Sequence, residues 1–112
     1  MNRTMGEAIE SHEGGNSRLL YLSRLENPAD FMLLVDSVLS LNGYQWYTAW
    51  DSGEASGPHA RHSGQINVGM ADGSARSVSP TEYAELRAKM LGTPGLQVGY
   101  FNEALERVSA SE

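Results

Sequence analysis

His62, Asp36 and Asp72 are the residues in this chain whose types could do chemistry together. One imidazole and two carboxylates can ligate a divalent cation, or can act as an acid–base group. A plainer role is also available. A histidine at the entrance to a strand can bond a nearby carboxylate or carbonyl and fix the junction between loop and strand. We expect the plainer role, with Asp36 as the partner of His62. Asp72 is explained by its neighbour Gly73, because Asp tolerates tight-turn geometry and accepts backbone N–H bonds. His59 stands three residues before His62, a metal-ligand spacing on a helix. Pro58 and the surrounding glycines argue against a helix there, so that pair reads as incidental. Asp51 and Glu54 offer oxygen ligands to Ca²⁺ but lack a recognisable ligand loop. No nucleophile motif, phosphate loop or Rossmann spacing is present, since Gly64, Gly69 and Gly73 have neither that spacing nor that setting. No catalytic residue, metal centre or cofactor is expected.

The element that must position these groups runs from Arg61 to Val78. Ile66, Val68 and Met70 alternate with Asn67, Gly69 and Ala71, as in a strand with one face on a core. Asp72-Gly73 is a strong hairpin signal, and Ser74–Val78 should return beside the first strand. A two-residue turn would set Met70 opposite Ala75 and Val68 opposite Ser77. A three-residue loop, Ala71-Asp72-Gly73, with a bulge at Gly73 would set Ile66 opposite Val78. The bulged form joins two apolar side chains and is preferred.

Around this hairpin, residues 1–16 read as a flexible N-terminal arm, and residues 17–112 as a single globular domain. Residues 18–25 suit a strand, Asn27-Pro28 a turn, and the apolar run Phe31–Val38 a central strand. After Asn42-Gly43, Tyr44, Trp46, Tyr47 and Trp50 form the densest aromatic cluster, on a segment that reads as a further strand. They are expected to supply core; the alternative is an exposed platform for an extracellular glycan or protein. Residues 51–60 read as a polar surface loop. Ser79-Pro80-Thr81-Glu82 opens a helix with a capping box, and Gly92 and Pro94 close it. The helix should bury Tyr83, Leu86, Met90 and Leu91, with Ala84 and Ala88 beside them. Leu96–Phe101 should extend, Asn102–Val108 should form a last helical turn or two, and residues 109–112 should fray.

The net charge of −6, with eight scattered Lys and Arg, makes nucleic acid and anionic membrane surfaces poor partners. There is no cysteine, hence no disulfide framework and no thiolate metal site. The apolar runs are far shorter than the ~20 residues of a spanning helix, so this chain is expected to make no membrane contact itself. No export signal is legible.

His62, nine intervening residues and Asp72-Gly73 resemble the signature of the prepilin-type processing-associated proteins named for that motif. Arg61-His62, Asn67-Val68 and Ala71-Asp72-Gly73 fall in register with it. Upstream, Leu22–Pro28 followed by Leu33–Ser37 looks like the family's second landmark, a Pro-containing turn leading to a strand that ends in Asp-Ser. The resemblance covers residues 18 to 91. It implies the globular head of a pseudopilin-like protein, a non-enzymatic part of a type II secretion or pilus-like assembly outside the cytoplasmic membrane. The implied partners are other pseudopilin or secretion-system subunits, or a second copy. That family normally carries a prepilin leader and a long hydrophobic helix, and neither is legible in these residues. Some related pseudopilins use calcium. The expected fold class is α+β: a small antiparallel sheet of about four strands, with one helix after the central hairpin.

Overall fold

Two short-range signals, a turn that favours glycine and a helix capped at both ends, fix the centre of the structure. The computed structural model describes residues 9–12, 17–39, 41–45 and 56–112, and of residues 9–12, 17–20 and 22 only the backbone. Among the described residues the strands in chain order are β1 (Ile9–His12), β2 (Ser17–Leu20), β3 (Met32–Val35), β4 (Ser37–Leu39) and β5 (Ser56–Pro58). They continue as β6 (Ile66–Met70) and β7 (Ala75–Val78), then helix α1 (Pro80–Leu91), then β8 (Gln97–Phe101) and β9 (Arg107–Ser111).

The β6–β7 hairpin has the bulged register. Ile66 faces Val78, and Gly69 faces Ala75. Met70 N–H donates to Ser74 O at 2.8 Å and Gly73 N–H to Met70 O at 3.0 Å, with Gly73 at φ 88°. Ile66, Val68 and Met70 are buried, while Asn67 points to solvent. A slip of one residue would exchange those two faces, so the loop length chooses the core.

Helix α1 starts on a reciprocal capping box: Glu82 N–H donates to Ser79 Oγ at 3.1 Å, and the Glu82 carboxylate accepts from Ser79 N–H. It ends at Gly92 in the left-handed region (φ 66°), where Thr93 N–H donates to Ala88 O at 3.0 Å. Tyr83, Ala84, Leu86, Ala88 and Met90 are buried, whereas Leu91 is exposed. The helix packs on β9, β8, β7 and β3, and the core gathers Phe31, Met32, Ile66, Val68, Val78 and Val98 around it.

The expected α+β class with one sheet of about four strands is not what forms. The molecule is mostly β, and among the described residues its antiparallel strands divide into a three-stranded sheet, β3-β6-β7, and the two-stranded ribbons β1-β2, β4-β5 and β8-β9. Asp36 explains the main division. A carboxylate in the middle of the apolar run 31–38 has to meet cations, and the chain turns there. β3 therefore pairs with β6, while β4 leaves to pair with β5. Among the described residues β3 lies at the sheet edge and β6 in its centre, so the expected central strand is an edge strand there.

Other expectations fail for local reasons. Residues 9–12 of the expected arm pair with β2, and that strand ends at Leu20, before a 3-10 turn at Leu22–Arg24. Ser56–Ala60, expected within a surface loop, are buried. Asn102–Val108 is not helical, because the Asn102 Oδ1 accepts Ala104 N–H at 3.0 Å and Glu106 N–H at 2.9 Å. That local bond set turns the chain back. Residues 109–111 belong to β9 and do not fray.

The added Cβ of a residue at 73 would meet nothing within 4 Å, so its cost is purely one of backbone. Gly73→Val should lower stability by more than about 1 kcal/mol in urea denaturation, because a β-branched residue resists positive φ. An unchanged midpoint would contradict the bulged turn.

Candidate functional site

Asp36 stands where the chain passes from one sheet to the next. Its N–H donates to Asn67 O at 2.9 Å, and its carbonyl accepts from His59 N–H at 2.8 Å. The backbone thus ties β6 and the end of β5 to one residue. The Asp36 side chain is only 12 % exposed, and its Oδ2 lies 3.2 Å from Arg61 Nε and 3.3 Å from His62 Nε2. The structure therefore brings His62 and Asp36 together, as expected from the sequence, and adds the Arg61 guanidinium on the same oxygen. His62 is 52 % exposed, so its share of the clamp is small.

His59, whose spacing from His62 reads as incidental in the sequence, is a buried neighbour of this ion pair. It is 7 % exposed and sits between Asp36 and Phe101, with Ala60 N–H donating to Phe101 O at 2.8 Å. Its Nδ1 accepts from Arg61 Nε at 3.1 Å. Burial first, and the Arg61 guanidinium second, lower the His59 pKa, against smaller opposing pulls from Asp36 and from the Asn102 backbone. Although the Asn102 backbone favours the charged ring, Nε2 makes no hydrogen bond of ordinary geometry. Asp36 Oδ1 and Arg61 Nη2 are likewise buried without a partner among the described residues. An unmatched buried polar atom costs roughly 1–3 kcal/mol, so this corner is held less firmly than its ion pair alone suggests.

Small residues leave room for Phe101 and Arg107 beside this corner. An added Cβ at Gly57 would lie 3.2 Å from the Phe101 ring, and one at Gly99 would collide with the Arg107 guanidinium. The Arg107 guanidinium carbon lies 5.6 Å from the centre of the Phe101 ring.

The other end of β6 is self-contained. Asp72 Oδ1 accepts Ser74 N–H at 2.9 Å and Ser74 Oγ–H at 2.6 Å, and these bonds lower its pKa. Asp72 and His62 lie at opposite ends of β6, so Asp36, His62 and Asp72 do not form one site. Among the described residues no group of three or more His, Cys, Asp or Glu could hold a metal ion. Asn67 Oδ1 accepts from Ser77 Oγ at 2.6 Å on the outer face of the hairpin. Tyr44 is 71 % exposed rather than part of a core, while Trp46, Tyr47, Trp50, Asp51 and Glu54 lie outside the described residues.

Comparison of the chain with protein-family models, with curated proteins and with solved structures finds no match.

The geometry ranks the contacts at the corner. His62→Gln should cost about 0.5–1 kcal/mol, as half-exposed pairs do. Asp36→Ala should cost more, about 1–3 kcal/mol, since it leaves the better buried Arg61 without its carboxylate. A His62→Gln loss equal to or above that of Asp36→Ala, in urea denaturation at neutral pH, would contradict this ranking.

Proposed function

We propose that this chain is a non-enzymatic structural or accessory component of a type II secretion or pilus-like assembly, acting outside the cytoplasmic membrane as a pseudopilin-like protein. The observation that carries the reading is that both ends of the His62–Gly73 motif are engaged in holding the chain. His62 meets Asp36 at 3.3 Å, and Asp72 accepts two bonds from Ser74. A motif whose charged groups serve its own corner and its own turn suits a scaffold. An apolar edge adds support: β3 is an outer strand, its pairing to β6 shifts register between Met32 and Leu34, and Leu34 is 74 % exposed beside exposed Leu33. Exposed edges of this kind are where strands add. Neighbouring subunits of the assembly, or a second copy, are the proposed occupants.

A second reading, a module that binds extracellular glycan or protein, is favoured by the exposure of Tyr44 alone. One experiment separates the two. The purified protein should bind at least one purified pseudopilin subunit of its host's secretion or pilus system, and Leu34→Asp should abolish that binding. Absence of binding to every such subunit, together with tryptophan fluorescence that a glycan shields from a small quencher, would replace the first reading by the second. A hydrolytic activity lost in His62→Gln at unaltered stability would overturn both.

A further inference from the structure

The contact between His59 and Arg61 carries an inference independent of any assembly. A guanidinium can only donate hydrogen bonds, so the His59 Nδ1 that takes the Arg61 Nε–H at 3.1 Å must be unprotonated. The ring is therefore neutral and carries its proton on Nε2. We propose that His59 and Arg61 form an acid-sensitive latch: the neutral imidazole holds Arg61 between the end of β5 and Asp36, and protonation of the ring breaks that bond and loosens the segment 56–60.

The groups facing His59 decide the direction. Arg61, following β5, and His62, at the start of the turn before β6, oppose a charge on the ring; Asp36, at the β3–β4 corner, and the Asn102 backbone, after β8, favour one. The one carboxylate facing the ring among the described residues is already met at Oδ2 by Arg61 and His62, whereas the ring is 7 % exposed and has little water to solvate a charge. The opposing side prevails, in agreement with the lowered pKa.

The sign follows by linkage. A histidine whose pKa is lowered by folding takes up its proton more readily in the open form. Its contribution to stability is whole above the ordinary value of 6.5 and is lost as pH falls below it. Between 6.5 and the lower value in the closed form, the opening equilibrium should rise toward tenfold per pH unit. Two backbone bonds report the opening directly, His59 N–H to Asp36 O and Ala60 N–H to Phe101 O, both 2.8 Å.

The test is amide hydrogen exchange of the intact protein from about pH 7.5 to about pH 5.5, with the imidazole followed by NMR in the same samples. The protection factors of His59 and Ala60, corrected for the intrinsic pH dependence of exchange, should fall through this range, with the His59 ring titrating below 6.5. His59→Asn, whose Oδ1 replaces the accepting nitrogen and does not titrate, should hold the segment with constant protection. Flat protection in the unaltered protein, a His59 ring that titrates at or above 6.5, or an equal fall in His59→Asn would each overturn the latch. The first two measurements need no variant and decide the matter even if His59→Asn does not fold.

Discussion

A carboxylate set into an otherwise apolar strand is the constraint on which this fold depends. Asp36 is nearly enclosed, and a buried charge without partners is far more costly than one that is paired. The chain answers by bringing Arg61 and His62 to one oxygen and by using the Asp36 backbone to bind two other segments. The run from Phe31 to Val38 consequently serves two sheets. Up to Val35 it borders β6, and from Ser37 it borders β5. A corner built this way positions the motif residues without any of them having to be reactive.

The hairpin supplies the other half of the arrangement. Its bulged turn sets Ile66 against Val78, and that register puts Val68 and Met70 under the helix side of the sheet with Asn67 outward. Asn67 then presents the carbonyl that receives the Asp36 N–H. The turn at Gly73 and the ion pair at Asp36 are thus linked through one strand: an error in register would remove both the apolar face and the backbone anchor. On the far side, α1 and the β8–β9 ribbon close the core through Tyr83, Leu86, Met90 and Val98. The ribbon also carries Phe101, on which the buried end of β5 rests.

How much of this was legible follows from the range of each interaction. The hairpin register, the capping box and the glycine cap of α1 are decided within a few residues, so their residue types announce them. The meeting of His62 with Asp36 was inferable once two strands were taken as neighbours. The division of strands into one sheet and three ribbons was not, because it depends on where Asp36 finds Arg61, twenty-five positions away in the numbering. Ser56–Ala60 read as loop because they mix Ser, Gly, Pro and His; Gly57, His59 and Ala60 meet Phe101, a distant contact the local pattern does not reveal. Asn102–Val108 carries helix-forming Glu, Ala and Leu, yet one asparagine side chain with two local backbone bonds outweighs those modest preferences.

The central claim is that Asp36 and Arg61 act as one unit, and a double-mutant cycle tests it most directly. Unfolding free energies of the unaltered protein, Asp36→Asn, Arg61→Gln and the double variant, measured in urea at neutral pH and low salt, give the coupling between the two residues. A coupling of about 0.5–3 kcal/mol, reduced but not abolished by high salt, is the predicted result. Effects that add within about 0.3 kcal/mol would contradict the account, since residues that do not share an interaction add in that way.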